Sequence, residues 1–231
     1  MGSPLLRVLN MPDVSEWDKV RHLPRFMQPV EFSLAPCTHC RAPCCWVDVE
    51  LTTVEAARIA LNLALPFDDV VTRHVLREGE ERLSKNLPIP LVDGPTVLRL
   101  KRRANSECNF LNYVGERGRC AIHGLRPGIC RLYPYEVQWG RRHVRVGSQS
   151  LCPVRWLKDD AAEARLRENL TQIDADRALE RKLLTSWKRR RGERTWQAYV
   201  PFAVRKLAPE LGASAEEYLR EPRRTLGKRL W

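Results

Sequence analysis

Hydrophobic and polar positions fall into distinct textures along the 231-residue chain. Residues 1–30 mix Pro, Met and charge without sustained periodicity and read as a leading arm lying over the surface. The run Thr52-Thr53-Val54-Glu55-Ala56-Ala57-Arg58-Ile59-Ala60-Leu61 predicts a helix. Thr52 and Glu55 have the capping-box spacing at its start, and Pro66 stops it. From Phe67 to Leu83, Val70, Val71, His74, Val75 and Leu76 recur among charges and predict a second helix ending in a Gly79-containing turn. Between Pro88 and Ser150 short β-like runs follow, at Val97–Leu100, Tyr133–Trp139 and His143–Val146. Gly140-Arg141-Arg142 between the last two predicts a hairpin. Beyond Pro153 a helical interval returns at Leu157, Ala161, Ala164, Leu170, Ile173, Leu183, Leu184 and Trp187. Ser214 with Glu217 repeats the capping-box spacing before a last short helix. The spacing of Trp187 and Trp196 fits helix packing rather than a base-stacking platform.

Composition narrows the class. A hydrophobic fraction of 43% with 29% charged residues excludes collagen-like, wholly disordered and membrane-embedded chains. The longest apolar stretch, around Ala60–Phe67, is broken by Asn62 and Pro66 and falls far short of the roughly 18 residues of a membrane helix. The start carries neither a signal-type apolar core nor a complete myristoylation pattern, so a cytoplasmic, reducing location is expected. The net charge of +12 favours anionic partners, and nineteen Lys/Arg against twelve Asp/Glu in residues 153–231 concentrate it in the tail. Lys188-Arg189-Arg190-Arg191 reads either as a solvated helix end or as a contact with nucleic acid or an acidic protein.

The candidate chemistry lies in eight cysteines confined to residues 37–152. Cys37 and Cys40 form a CxxC turn that brings two sulfurs to one side of the chain. Cys44 and Cys45 are adjacent, and neighbouring side chains of an extended segment point opposite ways, which suits two metals or two roles better than one mononuclear site. Known spacings fail: Pro43 stands where a ferredoxin-type run needs a cysteine, and Val47 where a CxxxCxxC motif needs one. No second CxxC supplies a zinc ribbon. Cys120 and Cys130 flank a Gly- and Pro-containing loop that folding back would bring toward the CxxC turn. Arg126 and Arg131 suit hydrogen bonds to sulfur, compensation of thiolate charge, or capture of a carboxylate or phosphate. His39 and His123 read as hydrogen-bonded or exposed imidazoles rather than ligands.

Four blocks in order carry a family resemblance: Cys37-x2-Cys40-x3-Cys44-Cys45 before Leu51-Thr52, then Cys108-Asn109-Phe110-Leu111, then the segment Cys120–Pro134, and finally Cys152. Together they resemble the YkgJ-type cysteine-cluster family, which is described as chelating zinc or iron and is related to a region of flagellin lysine N-methylase. The resemblance runs from about Phe32 to Pro153. It implies metal ligation by Cys37, Cys40, Cys44, Cys45, Cys108, Cys120, Cys130 and Cys152, with an iron–sulfur cluster ahead of zinc or iron ions.

The expected architecture is α+β: an N-terminal arm over 1–31, a small irregular cysteine-organised metal-binding domain over 32–153 with short strands and covering helices, and a basic α-helical extension over 154–231. The expected function is metal or iron–sulfur binding, redox-active if iron is held. One alternative is an S-adenosylmethionine-dependent lysine N-methylase-like enzyme, although no glycine-rich nucleotide loop or acid/base pair stands out. The other is a zinc-stabilised nucleic-acid or protein adaptor using the basic tail.

Overall fold

In a computed structural model the described residues are 42–82, 84, 86–115, 117–133, 135–138, 143–146 and 160–220. They form the expected α+β arrangement, with antiparallel strands and a C-terminal helical part. The leading arm, the Gly140-Arg141-Arg142 turn, Leu157, His39, Cys37, Cys40 and Cys152 lie outside them.

Helix α1 (Thr53–Leu63) begins as its capping box requires. Glu55 N–H donates to Thr52 Oγ1 at 3.2 Å and Thr52 N–H to Glu55 Oε2 at 2.8 Å, satisfying two of the first-turn donors. Its end is a left-handed turn at Ala64 (φ 49), where Leu65 N–H reaches back to Ala60 O at 3.0 Å. Val54, Ala56, Ala57, Ile59 and Ala60 are fully buried, and the three alanines let neighbouring elements approach closely.

The helix expected over Phe67–Leu83 is corrected by the structure. Among the described residues of that span only Phe67–Val70 is α-helical (α2); the chain then runs as strand β2 (Val71–Val75), and a single 3-10 turn follows at Glu80–Arg82. All five β2 residues pair antiparallel with β4 (Gly94–Leu100), from Val71↔Leu100 to Val75↔Thr96. Three of the five are β-branched, and the pairing with a ready strand overrides the helical spacing. The expected strand at Val97–Leu100 is the second half of β4. β4 also pairs with β1 (Glu50–Leu51) and with β3 (Ile89–Leu91). Two small hairpins follow: β5 (Leu111–Val114) with β6 (Arg117–Cys120), and β7 (Tyr135–Gln138) with β8 (His143–Val146), the latter in the predicted place. Between these hairpins lies the short helix α3 (Gly128–Leu132).

Helix α4 (Asp160–Arg189) has 30 residues and is about 45 Å long at 1.5 Å per residue. It is followed by α5 (Trp196–Leu207) and α6 (Ala215–Arg220), whose start accepts Glu217 N–H on Ser214 Oγ at 3.2 Å. Trp187 and Trp196 pack in the core as expected. Both rings lie against Tyr199, with centroids 5.1 and 5.9 Å away. Their indole N–H groups donate to Pro90 O at 3.1 Å and Asp68 Oδ1 at 2.8 Å, so the helical part grips both the sheet and α2. Inward-facing polar side chains of α4 fasten α1. Arg58 forms a bidentate pair with Asp176 at 2.5 and 2.9 Å, and Glu180 accepts from Thr53 Oγ1 at 2.7 Å and Val54 N–H at 3.2 Å. One apolar core therefore joins residues of α1, the sheet, α4 and α5.

Candidate metal centre

The site is built from four short pieces of chain, a turn, a loop, a hairpin strand and a short helix. Ala42 turns in the left-handed region (φ 57), and Pro43 opens a single 3-10 turn, Pro43–Trp46, that carries Cys44 and Cys45. Its hydrogen bond runs from Cys45 N–H to Ala42 O at 3.0 Å. The second piece brings Cys108 alongside through a 2.9 Å bond from its N–H to Cys45 O. The β5–β6 hairpin then returns the chain, because Leu111 is bonded to Cys108 O at 3.0 Å and Cys120 is the register partner of Leu111. Cys130 follows on α3, whose first residue is tied to α1 by a 2.6 Å bond from Gly128 N–H to Glu55 Oε1.

All five described cysteines are free thiols, Cys108 buried and the others half-buried. They sense one another strongly. Cys45 keeps its proton, its pKa driven far up because its thiol hydrogen-bonds to Cys108 and Cys44 and is desolvated. Cys44 and Cys108 are lowered, each first by the hydrogen bond from Cys45. Arg126 further favours the Cys44 thiolate, and Phe110 N–H together with Arg103 and Arg102 favours that of Cys108. Desolvation pushes Cys120 up to about 11, against a hydrogen bond from Ile122 N–H. Cys130 is raised by burial and then by Cys44, Cys108 and Cys120. Five sulfurs thus share one partly desolvated region in which the pKa values of Cys44 and Cys108 are lowered and those of Cys45, Cys120 and Cys130 are raised. Among the described residues no three His, Cys, Asp or Glu side chains already surround a single point as metal ligands.

The donor set fits a thiophilic metal. Thiolate is the ligating form, and a cation in this region would displace the protons that the thiols now share. Cys108 and Cys120 each receive a backbone N–H from the residue two positions on, Phe110 and Ile122, which fixes the sulfur and spreads its charge.

Of the arginines singled out in the sequence, Arg126 is the one whose charge reaches Cys44, Cys120 and Cys130, while its Nε donates to His123 O at 3.1 Å. Arg131 holds Nε and Nη2 buried, with no hydrogen-bond partner among the described residues. The exposed His123 is kept neutral, its pKa lowered by partial desolvation and then by Arg126.

Two further arginines hold the scaffold and escaped the sequence reading. Arg102 donates to Asp48 Oδ1 at 2.5 Å, to Trp46 O at 2.6 Å and to Ser106 O, so one guanidinium clamps the Cys44-Cys45 turn to the Cys108 loop. Arg103 reaches Leu111 O at 2.6 Å and pairs with Glu107, which in turn accepts from Tyr113 at 2.7 Å. Their only signal was an Arg-Arg pair five residues before a cysteine, which is indistinguishable from surface charge.

A family profile described as "CxxCxxCC: Putative zinc- or iron-chelating domain" matches residues 36–153, half of the chain, and the protein belongs to that family. Metal chelation is thereby its general function. This chain has three residues, Arg41-Ala42-Pro43, where the signature has two. No curated protein and no solved structure matches it. Among the described residues no helix is long and apolar enough to cross a membrane.

Proposed function

We propose that the eight cysteines, Cys37, Cys40, Cys44, Cys45, Cys108, Cys120, Cys130 and Cys152, form a polynuclear metal–thiolate centre, with an iron–sulfur cluster as the first reading. One observation carries this: Cys45 shares its thiol with both Cys44 and Cys108 while Cys120 and Cys130 lie within electrostatic reach of them. Five thiols so gathered exceed the four ligands of a mononuclear tetrahedral zinc site, and three more cysteines flank them in sequence. Bound iron–sulfur would supply one-electron redox chemistry. The chain's own part is to hold the sulfurs, limit water and balance their charge with Arg102, Arg103 and Arg126. The free state of all five described cysteines supports a reducing, cytoplasmic setting.

Zinc is the second reading, favoured by the tight backbone N–H donors to Cys108 and Cys120, which suit a structural centre equally well. The methylase alternative rests on family likeness alone and is decided by calorimetric titration with S-adenosylmethionine. Anaerobic purification with analysis for iron, zinc and acid-labile sulfide, plus a visible spectrum, tests the first reading. Iron with sulfide and a broad charge-transfer band supports it; stoichiometric zinc without colour replaces it with the second.

A further inference from the structure

From Asp176 onward helix α4 buries its acids, and from Arg181 onward it exposes its bases, whereas Glu168 and Asp174 are exposed nearer its start. Asp176 and Glu180 are buried, pairing with Arg58 and with Thr53 of α1. From residue 181 onward, its exposed positions are Arg181, Lys182, Thr185, Ser186, Lys188 and Arg189, with no acid among them. The exposed turn that follows adds Arg190, Arg191 and Arg194 against the single acid Glu193. Among the described residues none of these seven cations forms an ion pair.

The stripe is held rigidly. Trp187 is fully buried beneath it, with Arg190 lying over its ring at 5.2 Å. Arg194 Nη2 donates to Lys188 O at 2.9 Å, closing the helix end on the turn. The helix dipole accounts for one or two cations in the last turn, not for Arg181 and Lys182 two turns earlier.

We infer that this face of α4, with its turn, is a docking surface for the phosphate backbone of a duplex nucleic acid. Arg181 to Arg189 spans about 12 Å at 1.5 Å per residue, the rise of three or four phosphates along one strand at about 3.4 Å each. Arginines offer bidentate donors to phosphate, and the exposed Ser186 adds a neutral hydroxyl of the kind that also contacts phosphate oxygens, while the Thr185 hydroxyl donates to Arg181 O at 2.8 Å. No exposed aromatic accompanies the stripe among the described residues, so it offers no platform for unpaired bases and suits the backbone of a duplex better. This inference stands apart from the metal reading.

The test is fluorescence anisotropy of the full-length protein with labelled 20-base-pair DNA and RNA duplexes over a salt series, with polyglutamate as a competing polyanion. Binding should weaken with salt at a log–log slope of about −3 to −4, roughly −0.9 per phosphate neutralised. The variant R181Q/K182Q/K188Q/R189Q should lose about tenfold or more in affinity and most of that slope. The variant R77Q/R117Q/R205Q/K206Q removes equal charge from other exposed positions and should bind as the wild type does. Metal content and melting temperature of each variant separate this outcome from the fate of the metal centre. The proposal is overturned if neither duplex binds at low salt, if both variants lose affinity equally, or if polyglutamate competes as well as duplex, which would assign the face to an acidic protein.

Discussion

Gly128 N–H donates to Glu55 Oε1 at 2.6 Å, joining the short helix that carries Cys130 to the capping box that starts α1. The same carboxylate accepts Thr52 N–H at 2.8 Å and Thr52 Oγ1 at 3.0 Å, so three donors converge on one buried side chain. The placement of the helix that carries Cys130 and the start of α1 are therefore tied together through one carboxylate.

The closeness of that contact makes Gly128 specific. A Cβ at 128 would collide with Ile173 Cγ1 and stand 3.1 Å from Glu55 Oε1. Gly128→Ala should destabilise by roughly 1–3 kcal/mol through overpacking. Adding Ile173→Ala should recover part of the loss by making room on α4. Thermal melts of the single and double variants check this; additive losses would contradict it.

Arg102 should behave as a clamp rather than a surface cation. Arg102→Ala leaves Trp46 O, Ser106 O and Asp48 without their shared donor, and should cost about 2–4 kcal/mol. It should also speed metal loss to a chelator, measured as the release rate after adding a chromogenic chelator. Arg102→Lys should not rescue it, because one ammonium cannot span the same acceptors.

Glu180 gives the pH dependence. Its burial raises the carboxyl pKa to about 7 in the folded protein, above its ordinary value of 4.5, despite hydrogen bonds from Thr53 and Val54. The folded state thus binds more protons than the unfolded state between these values. Its contribution is fully present below pH 4.5 and is lost as pH rises through 7, on the order of 3 kcal/mol at 1.36 kcal/mol per unit. Glu180→Gln should flatten the fall in melting temperature between pH 5 and 8 relative to the wild type. Parallel profiles would contradict this assignment.

Ala64, exposed at φ 49, ends α1 in a conformation that favours glycine. Ala64→Gly should stabilise the protein by about 1 kcal/mol, read as an upward shift in the urea midpoint.

The elements legible in the sequence were those set by local chemistry. The Thr52/Glu55 box, the paired runs at Tyr135–Gln138 and His143–Val146 and the inward Trp187 each follow from neighbouring residues. Strand β2 was not legible, because what makes Val71–Val75 extended is β4, more than twenty residues away. The candidate ligands announced themselves as cysteines, whereas their supports did not. Arg102 spans from residue 46 to residue 106, and Glu55 reaches residue 128, contacts that no spacing rule encodes.

X-ray absorption at the metal edge of the anaerobically purified full-length protein reads out whether many sulfurs ligate the centre. Sulfur scatterers at about 2.3 Å, with a metal–metal shell that disappears in Cys45→Ser, are the result this account expects. A first shell of nitrogen and oxygen alone, or a spectrum unchanged in Cys45→Ser, would contradict it.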